Sequence, residues 1–134
     1  MNKDEYINEH FPEVDPGVKP CGAKILVQLR TLKEKTIGGI VLAMETKEFN
    51  NGNTMIGRIV AVGGIAFRDR STGEDWKEGR WADVGDIVIL PRWGGFRFEL
   101  DIPGQKEKAI FAVFDDTNVQ MVVEKNFEAF DKLL

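Results

Sequence analysis

Lys24-Ile-Leu-Val-Gln-Leu-Arg30 is a short run of aliphatic and β-branched residues, a composition typical of a β-strand. Comparable runs follow it along the chain, and no helical pattern separates one from the next. They lie at residues 56–63, 84–91, 93–100, 108–114 and 118–124. Short strands joined by glycine-rich turns predict an all-β fold, in the form of a small β-barrel.

Residues 31–55, between the first two of these strands, show no period that could bury apolar side chains locally. Even so, the apolar triplet Ile40-Val41-Leu42 stands directly behind Gly38 and Gly39. On the residues alone, the triplet fits either an ordinary buried strand or a surface that docks on another molecule.

The two ends of the chain differ from the strand region. Residues 1–17 are polar and acidic and contain two prolines, and Tyr6, Ile7 and Phe11 fit either one turn of helix or a mobile arm. At the other end, four apolar residues recur at helical spacing and predict a short amphipathic helix. They are Val123, Phe127, Phe130 and Leu134.

Composition limits the classes of function. The 134 residues fit one domain, and 22 acidic against 18 basic residues give a net charge of -4. Nucleic-acid binding needs a basic stripe, which the chain lacks. The single cysteine, Cys21, cannot form an internal disulfide, and there is neither a leader pattern nor an apolar run of membrane-spanning length. We therefore expect a cytoplasmic protein without membrane contact.

Few residues could carry enzyme chemistry. The only histidine, His10, lies in the acidic N-terminal segment, and a His10–Cys21 pair brought together by folding is weak evidence for a nucleophile. One cysteine and one histidine are too few for a structural zinc site. No glycine pair opens a helix after a strand, so we find no phosphate cradle. The sequence predicts a binding protein rather than an enzyme, without metal or cofactor.

Aromatic residues leave one alternative open. Base-stacking platforms of OB-type barrels also carry exposed aromatic rings, so a single-stranded nucleic-acid binder remains a second hypothesis, although the acidic balance counts against it. The candidate rings are Phe67, Trp76, Trp81, Trp93, Phe96 and Phe98.

Four pieces of sequence, in order, resemble the GroES-type co-chaperonins, the lid subunits of the bacterial chaperonin. The pieces are Lys19-Pro20 leading into Lys24-Ile-Leu-Val27, then Gly38-Gly-Ile-Val-Leu42, Gly57-Arg-Ile-Val-Ala-Val-Gly63 and Val84-Gly-Asp-Ile-Val-Ile89. The resemblance covers residues 18–124 and leaves residues 1–17 and 125–134 as extensions. A barrel related to the medium-chain dehydrogenases, which share this fold, would need zinc ligands and a dinucleotide domain that the sequence lacks.

This resemblance implies a homo-heptameric ring that closes a GroEL-type chaperonin around an unfolded substrate protein. Residues 31–55 would form a mobile loop, and Gly38, Gly39, Ile40, Val41 and Leu42 would bind the chaperonin. ATP would be bound and hydrolysed by the chaperonin, so this chain would need no cofactor.

The resemblance also implies two further sets of residues. Residues 64–83 would form a hairpin that roofs the chamber, with roof or chamber positions at Phe67, Trp76, Trp81, Trp93 and Phe96. The first and last strands would meet between subunits through Ile25, Leu26, Val27, Val119, Met121 and Val123. The longer 64–83 region and the two extensions resemble those of co-chaperonins carried by tailed phages. Such proteins work in the host cytoplasm, where the substrate would be a capsid protein.

Overall fold

Eight strands and two short helices make up the computed structural model, which describes residues 1–31, 35–37, 40–42, 54–92 and 95–133. The first half of the chain forms α1 (Lys3–His10), β1 (Lys24–Leu29), β2 (Lys35–Ile37), β3 (Ile40–Leu42) and β4 (Thr54–Val62). The second half forms β5 (Ile87–Pro91), β6 (Phe96–Asp101), β7 (Lys108–Asp115), β8 (Met121–Val123) and α2 (Phe127–Leu133), with one 3-10 turn at Asp116–Asn118. Neither helix within these residues has the length and apolar character needed to cross a membrane.

Six of the strands form one antiparallel sheet in the order β6-β7-β1-β4-β5-β8. The central strand β1 pairs with β4, for example at Leu29 and Gly57, and with β7, for example at Ile25 and Phe114. The remaining two strands, β2 and β3, pair with each other and with no further strand in the described part of the chain. The predicted all-β class of fold is confirmed.

Strict alternation of side chains along the strands divides the interior into separate clusters. On one face, Ile25, Val27 and Leu29 of β1 pack with Val88 and Leu90 of β5 in the largest cluster. This face is covered by the connection between β4 and β5, which supplies a second group of buried residues. They are Ala66, Phe67 and Ala82, with Trp76 and Trp81 partly buried against them.

The opposite face of the sheet is covered by the two helices. Tyr6 of α1 and Phe127 of α2 pack on Ile56, Ile87 and Ile89. Residues 1–17 therefore include a helix of eight residues rather than a mobile arm. The C-terminal helix predicted from its apolar spacing is also present, with Phe127 buried.

Gly57 permits the close packing of β1, β4 and β5. A Cβ atom at this position would lie 2.3 Å from Val27 Cγ1 and 3.2 Å from Leu90 Cδ1. Gly57 itself pairs regularly with Leu29 and Val88. The irregularity in the strand lies further along, where Leu26 and Val27 pair with Ala61 and Ile59 and leave Val60 as the extra residue.

Candidate functional site

The segment between β1 and β4 carries the predicted docking triplet, and its described part is a small hairpin. Lys35 pairs with Leu42, Thr36 with Val41 and Ile37 with Ile40. The triplet Ile40–Leu42 is therefore a strand, which is one of the two structures that the sequence left open. Gly38 and Gly39, which link the two strands, lie outside the described residues, as do the side chains of Ile40, Val41 and Leu42.

The beginning of this segment, Arg30 and Thr31, is held in place from three directions. The Arg30 backbone N–H donates to the Ile56 carbonyl of β4 at 3.1 Å, and the Thr31 N–H donates to the His10 carbonyl at the end of α1 at 2.9 Å. The Arg30 guanidinium donates to Asp131 of α2, through Nη1 to Oδ1 at 3.0 Å and to the carbonyl oxygen at 3.1 Å. We call these two residues the root of the segment.

Asp131 connects both helices to the root. Besides Arg30, its Oδ1 accepts a hydrogen bond from the Tyr6 hydroxyl at 2.8 Å, and its Oδ2 lies 3.9 Å from His10 Nε2. The Tyr6 ring stacks on Phe127 with 5.5 Å between centroids. Burial, reinforced by the negative charge of Asp131, raises the pKa of the Tyr6 hydroxyl well above its ordinary value. The phenol is thus a neutral donor over the physiological pH range.

Three of the predicted roof residues form an aromatic stack in the connection between β4 and β5. Phe67 and Trp76 meet edge to face with 5.6 Å between centroids, and Trp76 and Trp81 lie 4.6 Å apart. Phe67 has no exposed surface, and its backbone N–H donates to Asp116 Oδ2 at 2.9 Å. The assignment of Phe67 to a chamber surface was wrong, because its side chain is a core residue that attaches this connection to the sheet.

The other two predicted chamber residues differ from this stack. Phe96 at the start of β6 is 71% exposed, and it stacks on Phe98 with 6.1 Å between centroids. Phe98 in turn stacks on Phe111 of β7 at 5.4 Å. Phe96 therefore presents an aromatic ring to its surroundings at an edge of the sheet, whereas Trp93 lies outside the described residues.

The predicted subunit-contact residues divide in two. Ile25, Leu26 and Val27 have no exposed surface, and β1 is bonded to a strand on each side. The prediction that these three side chains contact a neighbouring subunit was wrong, because this chain already buries them. Val119, which precedes β8, and Val123 within it are also buried, but Met121 is 52% exposed, and β8 lies at the edge of the six-stranded sheet.

The contact between the root and the helices was not found from the sequence. Arg30 follows an apolar strand, and Asp131 follows Phe130 on the helix stripe, so each position marks a charge at the border of a buried surface. That border position is a signal that the charge needs a partner. The sequence does not show that the two residues are partners, because almost the whole chain separates them.

Catalytic and metal-binding chemistry gains no candidate from the described ranges. Cys21 is an exposed free thiol, and His10 is placed between Tyr6 and Asp131 in the helix contact. No group of three or more histidine, cysteine, aspartate or glutamate side chains there is arranged to hold a metal ion.

Comparison with known proteins shows what the chain is similar to. The family model described as the chaperonin 10 Kd subunit matches residues 17–122. The co-chaperonin GroES of Lactobacillus helveticus (strain DPC 4571) is 35% identical over 101 residues, which are 72% of this chain and 97% of that relative. The co-chaperonin GroES of Tetragenococcus halophilus is 30% identical over 111 residues, covering 80% of this chain and 99% of its own length.

A third relative, the co-chaperonin GroES of Bacillus sp. (strain PS3), is 37% identical over 84 residues, or 63% of this chain and 81% of the relative. The family match spans the six-stranded sheet almost completely and leaves both α1 and α2 outside it. The chain therefore belongs to the chaperonin 10 kDa subunit family, the GroES-type co-chaperonins.

Proposed function

We propose that this protein is a co-chaperonin whose ring closes the end of a GroEL-type chaperonin and encloses a substrate protein for folding. The observation that carries the proposal is the family match over residues 17–122. The ring is proposed to be a homo-heptamer acting in the bacterial cytoplasm. It is itself non-catalytic and needs no cofactor, since ATP is bound and hydrolysed by the chaperonin.

The docking element is the β2–β3 hairpin, with Ile40, Val41 and Leu42 as the residues that enter the chaperonin. Its support is that this hairpin pairs with no other strand among the described residues, while the rest of the strands form the sheet. Burying an aliphatic side chain contributes about 1.5–3 kcal/mol, so a single hairpin binds weakly. Several hairpins on one ring bind at high effective concentration, which gives firm attachment that a change in the partner can still reverse.

Ring formation is supported by the free edges of the sheet. Within the described residues, β6 and β8 each pair on one side only, and an unpaired strand edge can add a strand from another copy. Because the two edges differ, such contacts are head-to-tail and close into a ring when the rotation between copies is suitable. The exposed Phe96 ring is proposed to face the enclosed substrate, for which a phage capsid protein is one candidate.

The test uses Ile40→Asp and Leu42→Asp, with Val84→Asp as the matched control. Val84 is an exposed aliphatic residue in a turn, so the control places the same charge outside the hairpin. Wild-type and Val84→Asp rings should bind a purified bacterial chaperonin in the presence of ADP or ATP. Both hairpin variants should lose binding and keep the ring mass measured by native mass spectrometry. Undiminished binding by the hairpin variants would exclude the triplet as the docking element.

A further inference from the structure

We infer that α1 and α2 position the docking hairpin by holding its root, and that Asp131, Arg30 and Tyr6 are positioning residues for chaperonin binding. The inference rests on the proposed function, and it concerns parts of the chain outside the family match, because α1 and α2 both lie beyond residues 17–122. The root residues Arg30 and Thr31 lie inside the matched range. Their partners His10 and Asp131 lie outside it.

The contact between Arg30 and Asp131 is directional, and its Arg30 side is buried. The Arg30 side chain is only 2% exposed, and its Nη1 reaches both a carboxylate oxygen and the backbone carbonyl of Asp131. A buried guanidinium requires a partner, since removal of the carboxylate leaves an uncompensated charge. The geometry therefore fixes where β1 ends relative to α2.

The second helix contact acts one residue later. The Thr31 N–H donates to the His10 carbonyl, which is one of the carbonyl groups left without a partner inside the helix at the end of α1. Tyr6, one α-helical turn before His10, donates its hydroxyl to the same Asp131 that binds Arg30. Both helices and both root residues thus form one connected hydrogen-bond network.

Additional contacts keep the N-terminal segment on the sheet. The side-chain amide of the buried Gln28 donates to the Pro12 carbonyl at 2.8 Å, and Lys3 Nζ lies 3.1 Å from Asp86 Oδ1. A root held by fixed helices has fewer available orientations, so less conformational entropy is lost when the hairpin docks. On a ring, the smaller entropy loss applies to every hairpin, so its total effect on binding increases with the number of hairpins bound to the chaperonin.

The experiment compares Asp131→Asn with Glu128→Gln. Both variants remove one carboxylate charge from α2, but Glu128 is exposed and lies beside the Met1 amine rather than Arg30. Chaperonin binding by the assembled rings is measured by biolayer interferometry with ADP. Amide hydrogen exchange at Thr31 reports on the root directly. Asp131→Asn should exchange faster at Thr31 and bind the chaperonin several-fold more weakly, because a root that is no longer held loses more conformational entropy when the hairpin docks. Glu128→Gln should match the wild type in chaperonin affinity and in the exchange rate at Thr31.

Two further variants separate positioning from general stability. Tyr6→Phe keeps the ring packing and removes one hydrogen bond to Asp131, so it should give a smaller loss of binding even if Asp131→Asn fails to fold. Asp131→Glu retains a carboxylate and should bind more tightly than Asp131→Asn. Wild-type affinity in folded Asp131→Asn rings, or in Tyr6→Phe rings if the former does not fold, would overturn the inference and leave the proposed function intact. Failure of the wild type to bind any chaperonin would overturn both.

Discussion

At the scale of single residues, the strongest constraints come from side chains that have no room to change. Gly57 is one example, because the space that a larger residue would need is filled by Val27 and Leu90. Phe67 is another, since it adopts a φ of 61° in the left-handed region while being completely buried. A bulky residue rarely adopts this conformation, so its surroundings must hold it. The hydrogen bond to the buried Asp116 does so.

Replacing Gly57 by alanine should lower the free energy of unfolding by about 1–3 kcal/mol, the usual cost of overpacking a core. The added Cβ would meet Val27 Cγ1 at 2.3 Å, so β1 or β4 would have to shift. Gly64→Ala is the control, because a Cβ there would have no atom within 4 Å and its φ is not in the left-handed range. Urea unfolding measures the free energy of unfolding of both variants, and equal values would contradict the packing argument.

At the scale of elements, the two helices complete the core although they lie at opposite ends of the chain. Phe127 of α2 stacks on Tyr6 of α1, and both cover apolar residues of β5 that would otherwise face water. The helices are short, and isolated helices of this length are unstable in water. Their stability must therefore come from packing on the sheet and on each other.

Phe127→Ala should destabilise the protein by about 3–5 kcal/mol, as is usual for a buried phenylalanine reduced to alanine. Leu133→Ala on the same helix removes an exposed side chain and should change the stability little. Thermal unfolding followed by circular dichroism distinguishes the two. A Phe127→Ala protein as stable as Leu133→Ala would show that α2 does not contribute to the core.

The strands and the C-terminal helix could be predicted because their apolar patterns are local. The β2–β3 hairpin could not, since three residues are too short to show a period. The subunit contact of β1 was assigned from the resemblance alone, and its apolar run could not correct that assignment, because such a run has the same composition in an interior strand as at a subunit contact. Phe67 was misplaced for a related reason: it stands among turn residues, and only the fold shows that the turn is packed against the sheet. The bond from Arg30 to Asp131 depends on tertiary structure alone.

At the scale of the whole molecule, one sheet is covered on one face by the connection between β4 and β5 and on the other by the helices. The family match contains almost the whole sheet and the connection between β4 and β5 that covers one of its faces. The two helices cover the other face of the sheet, and they include the buried Tyr6, whose pKa is raised. Tyr6 is the only tyrosine in the sequence, so its ionisation reports on this cover without interference from another phenol.

The native protein should therefore bind the phenolic proton more tightly than the unfolded chain, in which a tyrosine titrates at about 10. Because the pKa is raised in the folded state, this contribution to stability is complete below pH 10 and falls as the pH rises above it. Phenolate absorbance should show a higher midpoint in native than in denatured protein. Tyr6→Phe should lose less stability than the wild type at alkaline pH. A native midpoint at the unfolded value would contradict the burial of the hydroxyl.

The interior position of β1 also affects the order in which the protein can fold. One neighbour, β4, follows in the same half of the chain. The other neighbour, β7, comes near the end of the chain, since Ile25 pairs with Phe114. Contacts between residues so distant in sequence are formed late, because a long loop must first be closed. During synthesis, β1 therefore leaves the ribosome long before its second partner does, and an apolar strand with an open edge is prone to aggregate. A protein that we propose to assist the folding of others has a central strand that is itself completed only when most of the chain has been made.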